Sequence, residues 1–270
     1  MVCLRFRLVN VVDSCEEYNL NCRILLHDRF STNGTNWFNW IFDLMDVRAG
    51  HRVLELGAGN GEMWVKNAER VPFGVSVLVS DVSEDFLNQA RERINNQTSQ
   101  YSFKVIDIQN ITCSAGFFDR ILANTMLYHS DNVEAALSEV VRVLKPEGYF
   151  YATTSGLDHL QELKELVLEF DSDVVFPLNG ANKKFCLENG ETILQPFFKN
   201  IECVKYINSL RINNADYLYE FITSFKKDKN YNIKPIIENP TTFLNYLKSK
   251  IKNTYIEVTK SSCLFINSNT

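Results

Sequence analysis

Gly57, Gly59 and Gly61 follow directly on a short apolar run, Val53, Leu54 and Leu56, with the carboxylate of Glu55 set inside it. Glycines at this spacing let the backbone approach a ligand closely, and a helix starting just after them presents unpaired N–H groups that attract negative charge. The chemistry indicated is binding of a nucleotide-like ligand. Three more apolar runs end on polar groups: Asp81 after residues 75–80, Asp107 after 103–106, and Asn124 to His129 after 118–123. A carboxylate accepts from both hydroxyls of a vicinal pair. A histidine titrating near neutrality can take a proton, and His129 is the candidate catalytic base; the competing reading makes it a support for the helix that starts near Asn132.

The elements that must position these groups alternate. Strands are predicted at 53–56, 75–80, 103–106, 118–123 and 149–154. Between them, Ser83 caps a helix with Phe86, Leu87 and Ala90 on one face. Val133, Ala136, Leu137, Val140, Val141 and Leu144 recur at helical spacing up to Lys145-Pro146-Glu147-Gly148, which reads as a stop. Units of about 25 residues call for right-handed crossovers and a parallel sheet. Such a sheet binds ligands at the carboxyl ends of its strands, where all four polar groups fall.

The flanks are less regular. Trp37, Phe38, Trp40, Ile41, Phe42, Leu44 and Met45 recur at spacings of three and four, as a helix that covers the sheet or as one whose aromatics line a pocket. Residues 1–49 are expected to form an N-terminal helical cap, and 50–270 one domain with helical insertions at about 157–200 and 208–255. Strands are predicted at 201–207 and 262–266, with helical patches at 160–170, 217–225 and 243–251.

Composition excludes several classes. A chain of 270 residues, 45% apolar with net charge −5, lacks the basic footprint of a protein gripping nucleic acid or an anionic membrane over its whole surface. Seven scattered cysteines form no CxxC or Cys/His cluster, which suits reduced thiols and a cytoplasmic home, and no apolar run reaches membrane-spanning length. Lys226, Lys227, Lys229, Lys234, Lys248, Lys250 and Lys252 make one segment basic, as a solvated face or an anion or RNA contact.

The loop itself discriminates between ligands. A dinucleotide fingerprint wants a glycine at the sixth position, where this chain has Glu62. Glu55, two residues before the first glycine, suits a cationic, hydrogen-bond-donating ligand end better than a pyrophosphate. ELGAGNG at 55–61 resembles the E/D-x-G-x-G-x-G loop of the class I S-adenosylmethionine-dependent methyltransferases, and residues 52–154 as a whole are similar to the small-molecule branch of that family. The resemblance implies a Rossmann-like, doubly wound α/β fold: a mostly parallel seven-stranded sheet with an antiparallel last strand. It also implies that S-adenosylmethionine is held by Glu55, Gly57, Ala58, Gly59, Gly61, Asp81, Val82, Asp107, Ile108 and Asn124, with Asp81 on the ribose and Asp107 with Ile108 on adenine. The leader around His27, Arg29 and Phe30 resembles the family's cap over the cofactor.

The activity implied is methyl transfer to an O, N or C atom of a small molecule, leaving S-adenosylhomocysteine, with no metal. After the fourth strand stands Asn124-Thr125-Met126-Leu127, neither the D/N-P-P-Y/F motif of amino-methylating DNA enzymes nor a Pro-Cys nucleophile. The alternatives are RNA or protein methylation through the 226–252 segment, and a cofactor-binding protein without catalysis. His51 precedes the first strand and is expected to be structural; His27 and His159 are weaker candidates than His129.

Overall fold

The computed structural model describes residues 15–94, 100–176, 181–225, 232–251 and 254–270, with the backbone alone for 15–18, 181 and 182. Seven strands form one sheet: β1 (Arg52–Leu56), β2 (Ser76–Asp81), β3 (Tyr101–Val105), β4 (Phe118–Asn124), β5 (Leu144–Ser155), β6 (Asn200–Ile212) and β7 (Ile256–Ser268). Their order is β3-β2-β1-β4-β5-β7-β6. The strands β1 to β5 pair in parallel, and β7 inserts antiparallel to both β5 and β6. This is the doubly wound, mostly parallel sheet that the resemblance implies, with its order reversing between β1 and β4.

Alternation along the strands divides the core into two layers. Leu54 and Leu56 of β1 face one side, where α5 (Val133–Val143) buries Ala136, Leu137 and Val140. Val53 faces the other, against Met45 of α2 (Trp37–Met45), Trp64 of α3 (Glu62–Lys66) and Leu87 of α4 (Glu84–Arg93). The caps are local: Ser83 Oγ accepts from Phe86 N at 3.3 Å, and Asn132 Oδ1 from Ala135 N at 3.0 Å. Each is worth about 1 kcal/mol.

A third apolar cluster lies at one end of the sheet. It joins Leu26 and Phe30 of α1 (Cys15–Phe30) to α6 (Gln161–Phe170), α8 (Ala215–Thr223), α9 (Lys234–Glu238) and α10 (Pro240–Ile251). Leu210, Ile212 and Val258, at the far ends of β6 and β7, complete it. The two helices of the leader therefore contribute to different cores, α1 to this roof and α2 to the layer on the sheet. The short α7 (Gly190–Leu194) packs Leu194 on the sheet instead.

Three predicted boundaries are corrected. Lys145 to Gly148 do not separate helix from strand, because β5 begins at Leu144, which pairs with Phe118; the ladder shifts register before Arg120. The strands β6 and β7 run 13 residues each, far beyond 201–207 and 262–266, since they pair with each other past the last residues that β5 reaches. The additional length carries them into the roof. Lys226, Lys227, Lys229 and Lys252 lie outside the described residues.

Candidate active site

The glycine loop is shaped by what surrounds it. Gly57 and Gly61 have φ of 66° and 77°, where a side chain is strained. A Cβ on Gly57 would stand 2.8 Å from Met126 Cβ, and one on Gly61 2.8 Å from Ile94 Cδ1 and 3.0 Å from Ala90 Cβ. The first glycine thus admits the β4 loop and the third admits α4. Over Gly59, among the described residues, lies Leu20 of α1, 3.6 Å from where its Cβ would be. Arg93 of α4 pins the loop from outside, donating to Asn60 O at 3.1 Å and pairing with Glu62, the residue found in place of the sixth-position glycine.

Asp81 ties the strand ends together. Its Oδ2 accepts from Gly59 N and its Oδ1 from Ser83 N, each at 2.9 Å. Each oxygen keeps a second lone pair, so the carboxylate can still accept two hydroxyls. Beside it, Val82 is 67% exposed, an apolar surface open at the edge of the sheet. Ala58 N donates to Ser80 O at 2.9 Å, which holds the loop against β2. Asp107 is exposed, with Oδ1 accepting from Gln109 N at 2.9 Å, and Ile108 packs into the core behind it.

Two further predicted residues stand on β1 and just after β4. Glu55 is 1% exposed, and its Oε2 accepts from Trp64 Nε1 at 2.6 Å. That bond turns the carboxyl under the loop, toward α3 and the core. Burial pushes its pKa up to about 8, against the indole hydrogen bond and with a smaller push from Asp81. The group is therefore largely a neutral acid at pH 7, supporting the loop from beneath. His129 is exposed in a short 3₁₀ turn after β4, its ring 4.4 Å from that of Tyr128.

Asn124 links the edge to the roof. Its Oδ1 accepts from Thr153 Oγ1 at 2.7 Å and from the indole Nε1 of Trp37 at 3.3 Å. The following residue, Thr125, holds a φ of 51°, with its N–H on Thr153 Oγ1 at 2.8 Å. Strain of this kind gathers at functional sites. The core reading of the aromatic helix holds for Ile41, Phe42 and Met45, while Trp37 and Trp40 stack beside Tyr206. The helix α1 closes the roof over the loop, with Asn60 Nδ2 donating to Asn21 Oδ1 at 3.1 Å and Lys66 paired with Asp28 at 2.8 Å.

Sequence reasoning overlooked Lys260 and Tyr206, which stand with His27 and His159 under this roof. Their contributing strands are paired only in the folded chain, Tyr206 opposite Ser262 and Asn208 opposite Lys260. The one available signal was a lysine inside an otherwise polar and apolar strand, which reads as solvated.

With this geometry in hand, likeness to known proteins can be weighed. Residues 53–148 match the methyltransferase domain family. Residues 53–148 are thus a methyltransferase domain. The ubiquinone/menaquinone biosynthesis C-methyltransferase UbiE of Yersinia pestis is 26% identical over 180 residues, 66% of this chain and 66% of its own length. The YcgJ protein of Bacillus subtilis shares the fold at a TM-score of 0.58 and 16% identity, over 86% of this chain and 98% of its own. So does phosphoethanolamine N-methyltransferase 2 of Haemonchus contortus, solved with S-adenosyl-L-methionine, at 0.57 and 18% over 95% and 57%.

The residues of the methyltransferase domain fit S-adenosylmethionine, the cofactor of this family. Glycines leave the loop clear, Asp81 keeps two acceptor sites, and Val82 is bare where a flat base would cover it. Among the described residues no group of three or more His, Cys, Asp or Glu is placed to hold a metal, and no helix is long and apolar enough to cross a membrane.

Proposed function

We propose that this protein transfers a methyl group from S-adenosylmethionine to a small-molecule acceptor. One observation carries the reading: the glycine loop, Asp81 and Asp107 share the carboxyl edge of the sheet, and α1 and the aromatic face of α2 roof that edge. The cofactor supplies an activated methyl on a sulfonium, so the protein has chiefly to align and to exclude water. In this reading Asp81 takes the ribose hydroxyls, Asp107 and Ile108 take adenine, and Gly57, Ala58, Gly59 and Gly61 give the backbone approach. Glu55 keeps the loop in place through Trp64, and Asn124 sets the position of the Trp37 wall. His129 is exposed and suits an acceptor's proton only if the acceptor reaches that turn.

A carbon acceptor is the finer proposal, supported by the C-methyltransferase relative, and the indoles of Trp37 and Trp40 suit a partly apolar molecule. Nothing described favours RNA or protein methylation: Lys234 pairs with Glu238 and Lys250 with Glu169. Calorimetric titration with S-adenosylmethionine and S-adenosylhomocysteine, followed by labelled methyl transfer into a metabolite extract, tests the proposal. Binding of both with label in a small molecule is expected. Folded protein that binds neither, or binds and labels nothing small, would overturn it.

A further inference from the structure

Lys260 is placed unusually for a lysine. It lies on β7 beyond the carboxyl end of β5, where Ser155 pairs with Ser262. Its Nζ stands 6.0 Å from the ring centre of Trp37 and 5.8 Å from that of Tyr206. Among the described residues it makes no hydrogen bond and no ion pair. The acid that faces it, Asp28, is already engaged by Lys66 and by Asn36 Nδ2, each at 2.8 Å. Burial lowers the lysine's pKa to about 8, partly offset by Asp28. A half-buried ammonium beside two aromatic rings, with no ion-pair partner among the described residues, is suited to receive an anion.

Two imidazoles belong to the same cluster. The rings of His27 and His159 are 6.5 Å apart. The pKa of His159 is lowered to about 3, and that of His27 well below its ordinary value, both chiefly by burial and then by Lys260. His159 Nδ1 lies 3.1 Å from Ser261 O; a carbonyl only accepts, so that nitrogen bears the hydrogen and Nε2 a lone pair. His27 Nδ1 is buried with no hydrogen-bond partner among the described residues. The cluster also adjoins the cofactor edge. The indole of Trp37 has Lys260 Nζ 6.0 Å from its ring centre and donates from Nε1 to Asn124 Oδ1. On α1, Leu20 over the glycine loop and His27 are two turns apart on one face.

We infer that Lys260, framed by Trp37 and Tyr206 in one cluster with His27 and His159, is the acceptor subsite for an anionic oxygen carried by a planar aromatic molecule. The proposal rests on the methyltransferase reading and narrows its acceptor class. The aromatic walls take the ring and the ammonium takes the oxygen. The orphaned His27 Nδ1 offers the same oxygen, or its neighbour on the ring, one more polar contact.

The test titrates 2-naphthoate and its uncharged analogue 2-naphthamide into the full chain, with and without saturating S-adenosylhomocysteine, following tryptophan fluorescence. The naphthoate is expected to bind about tenfold more tightly, the worth of one charge-assisted hydrogen bond. Lys260→Met should bring the two ligands within roughly twofold of each other, and Lys260→Arg should keep most of the preference. Thermal unfolding midpoints establish that each variant is folded. Equal affinities in the wild type, or a preference that survives Lys260→Met, would overturn the proposal. So would a loss confined to S-adenosylhomocysteine affinity in Lys260→Met, which would put the cofactor's own carboxylate on the lysine. Protein that keeps the naphthoate preference but never binds S-adenosylhomocysteine would refute methyl transfer and leave the anion subsite standing.

Discussion

The carboxyl edge of the sheet and the roof above it are built in different ways. Every group at the edge comes from a segment that ends its own strand, so Gly57 to Gly61, Asp81 and Asp107 arrive in place as soon as β1, β2 and β3 align. The roof is assembled from α1, α6, α8, α9, α10 and the far ends of β6 and β7, whose residues are brought together only by packing. The contrast teaches where generality and individuality sit. The match to the methyltransferase domain family covers residues 53–148, the whole edge and little of the roof.

If the two regions are separable, damage to the roof should lower stability while sparing the cofactor. Phe243 is fully buried there, with Phe170 at 4.8 Å and Tyr246 at 6.1 Å between ring centres. Phe243→Ala should lose about 3–5 kcal/mol of stability in urea unfolding. S-adenosylhomocysteine affinity, measured where the variant is still folded, should stay near wild type. A large loss of affinity would show that the regions are one unit.

At the edge, Glu55 makes stability depend on pH. Its folded pKa of about 8 stands above the unfolded value of 4.5, so the folded chain holds the extra proton between them. That contribution is complete below the unfolded value and is lost as pH rises through the window, with a slope approaching 1.4 kcal/mol per pH unit. Glu55→Gln keeps an acceptor for Trp64 and removes the ionisation. Its unfolding free energy should fall less steeply than that of the wild type from pH 5 to 7, by roughly 2–3 kcal/mol over the interval. Parallel profiles would mean that Glu55 is charged in the folded protein.

The smallest of the three effects falls on affinity. Asp81→Ala removes the acceptor for Gly59 N and Ser83 N along with the proposed ribose contact. It should weaken S-adenosylhomocysteine by about 1–3 kcal/mol. Calorimetry giving wild-type affinity would remove the ribose from Asp81.

The same contrast explains what the sequence disclosed. An apolar run ending in a glycine or a carboxylate is a local pattern, which is why the edge and the parallel sheet were legible from residues 52 to 124. Leu144 was assigned to the preceding helix because its spacing fits one; its pairing with Phe118 is a contact that no local pattern shows. The ends of β6 and β7 escaped notice for the same reason. His27, His159 and Lys260 are each more than 100 residues from the next, and a half-buried lysine cannot be told from a solvated one by its neighbours. Glu55 was recognised as significant, but the direction of its carboxyl depends on Trp64, nine residues on and across the loop.

The attachments of α1 are unequal. To the roof it is joined by Leu26 and Phe30, and by Arg23, which donates to Ser224 and lies 3.8 Å over the ring of Phe225. To the glycine loop its polar links are the Asn21–Asn60 contact and the Asp28–Lys66 pair, whose side chains are about one-third exposed. Exposed ion pairs hold weakly and are screened by salt. Were roof and loop to part for product release, these contacts would carry the helix with the roof. Turnover then acquires an electrolyte sensitivity: raising ionic strength should shorten the residence time of a bound cofactor product while leaving the melting temperature nearly unmoved.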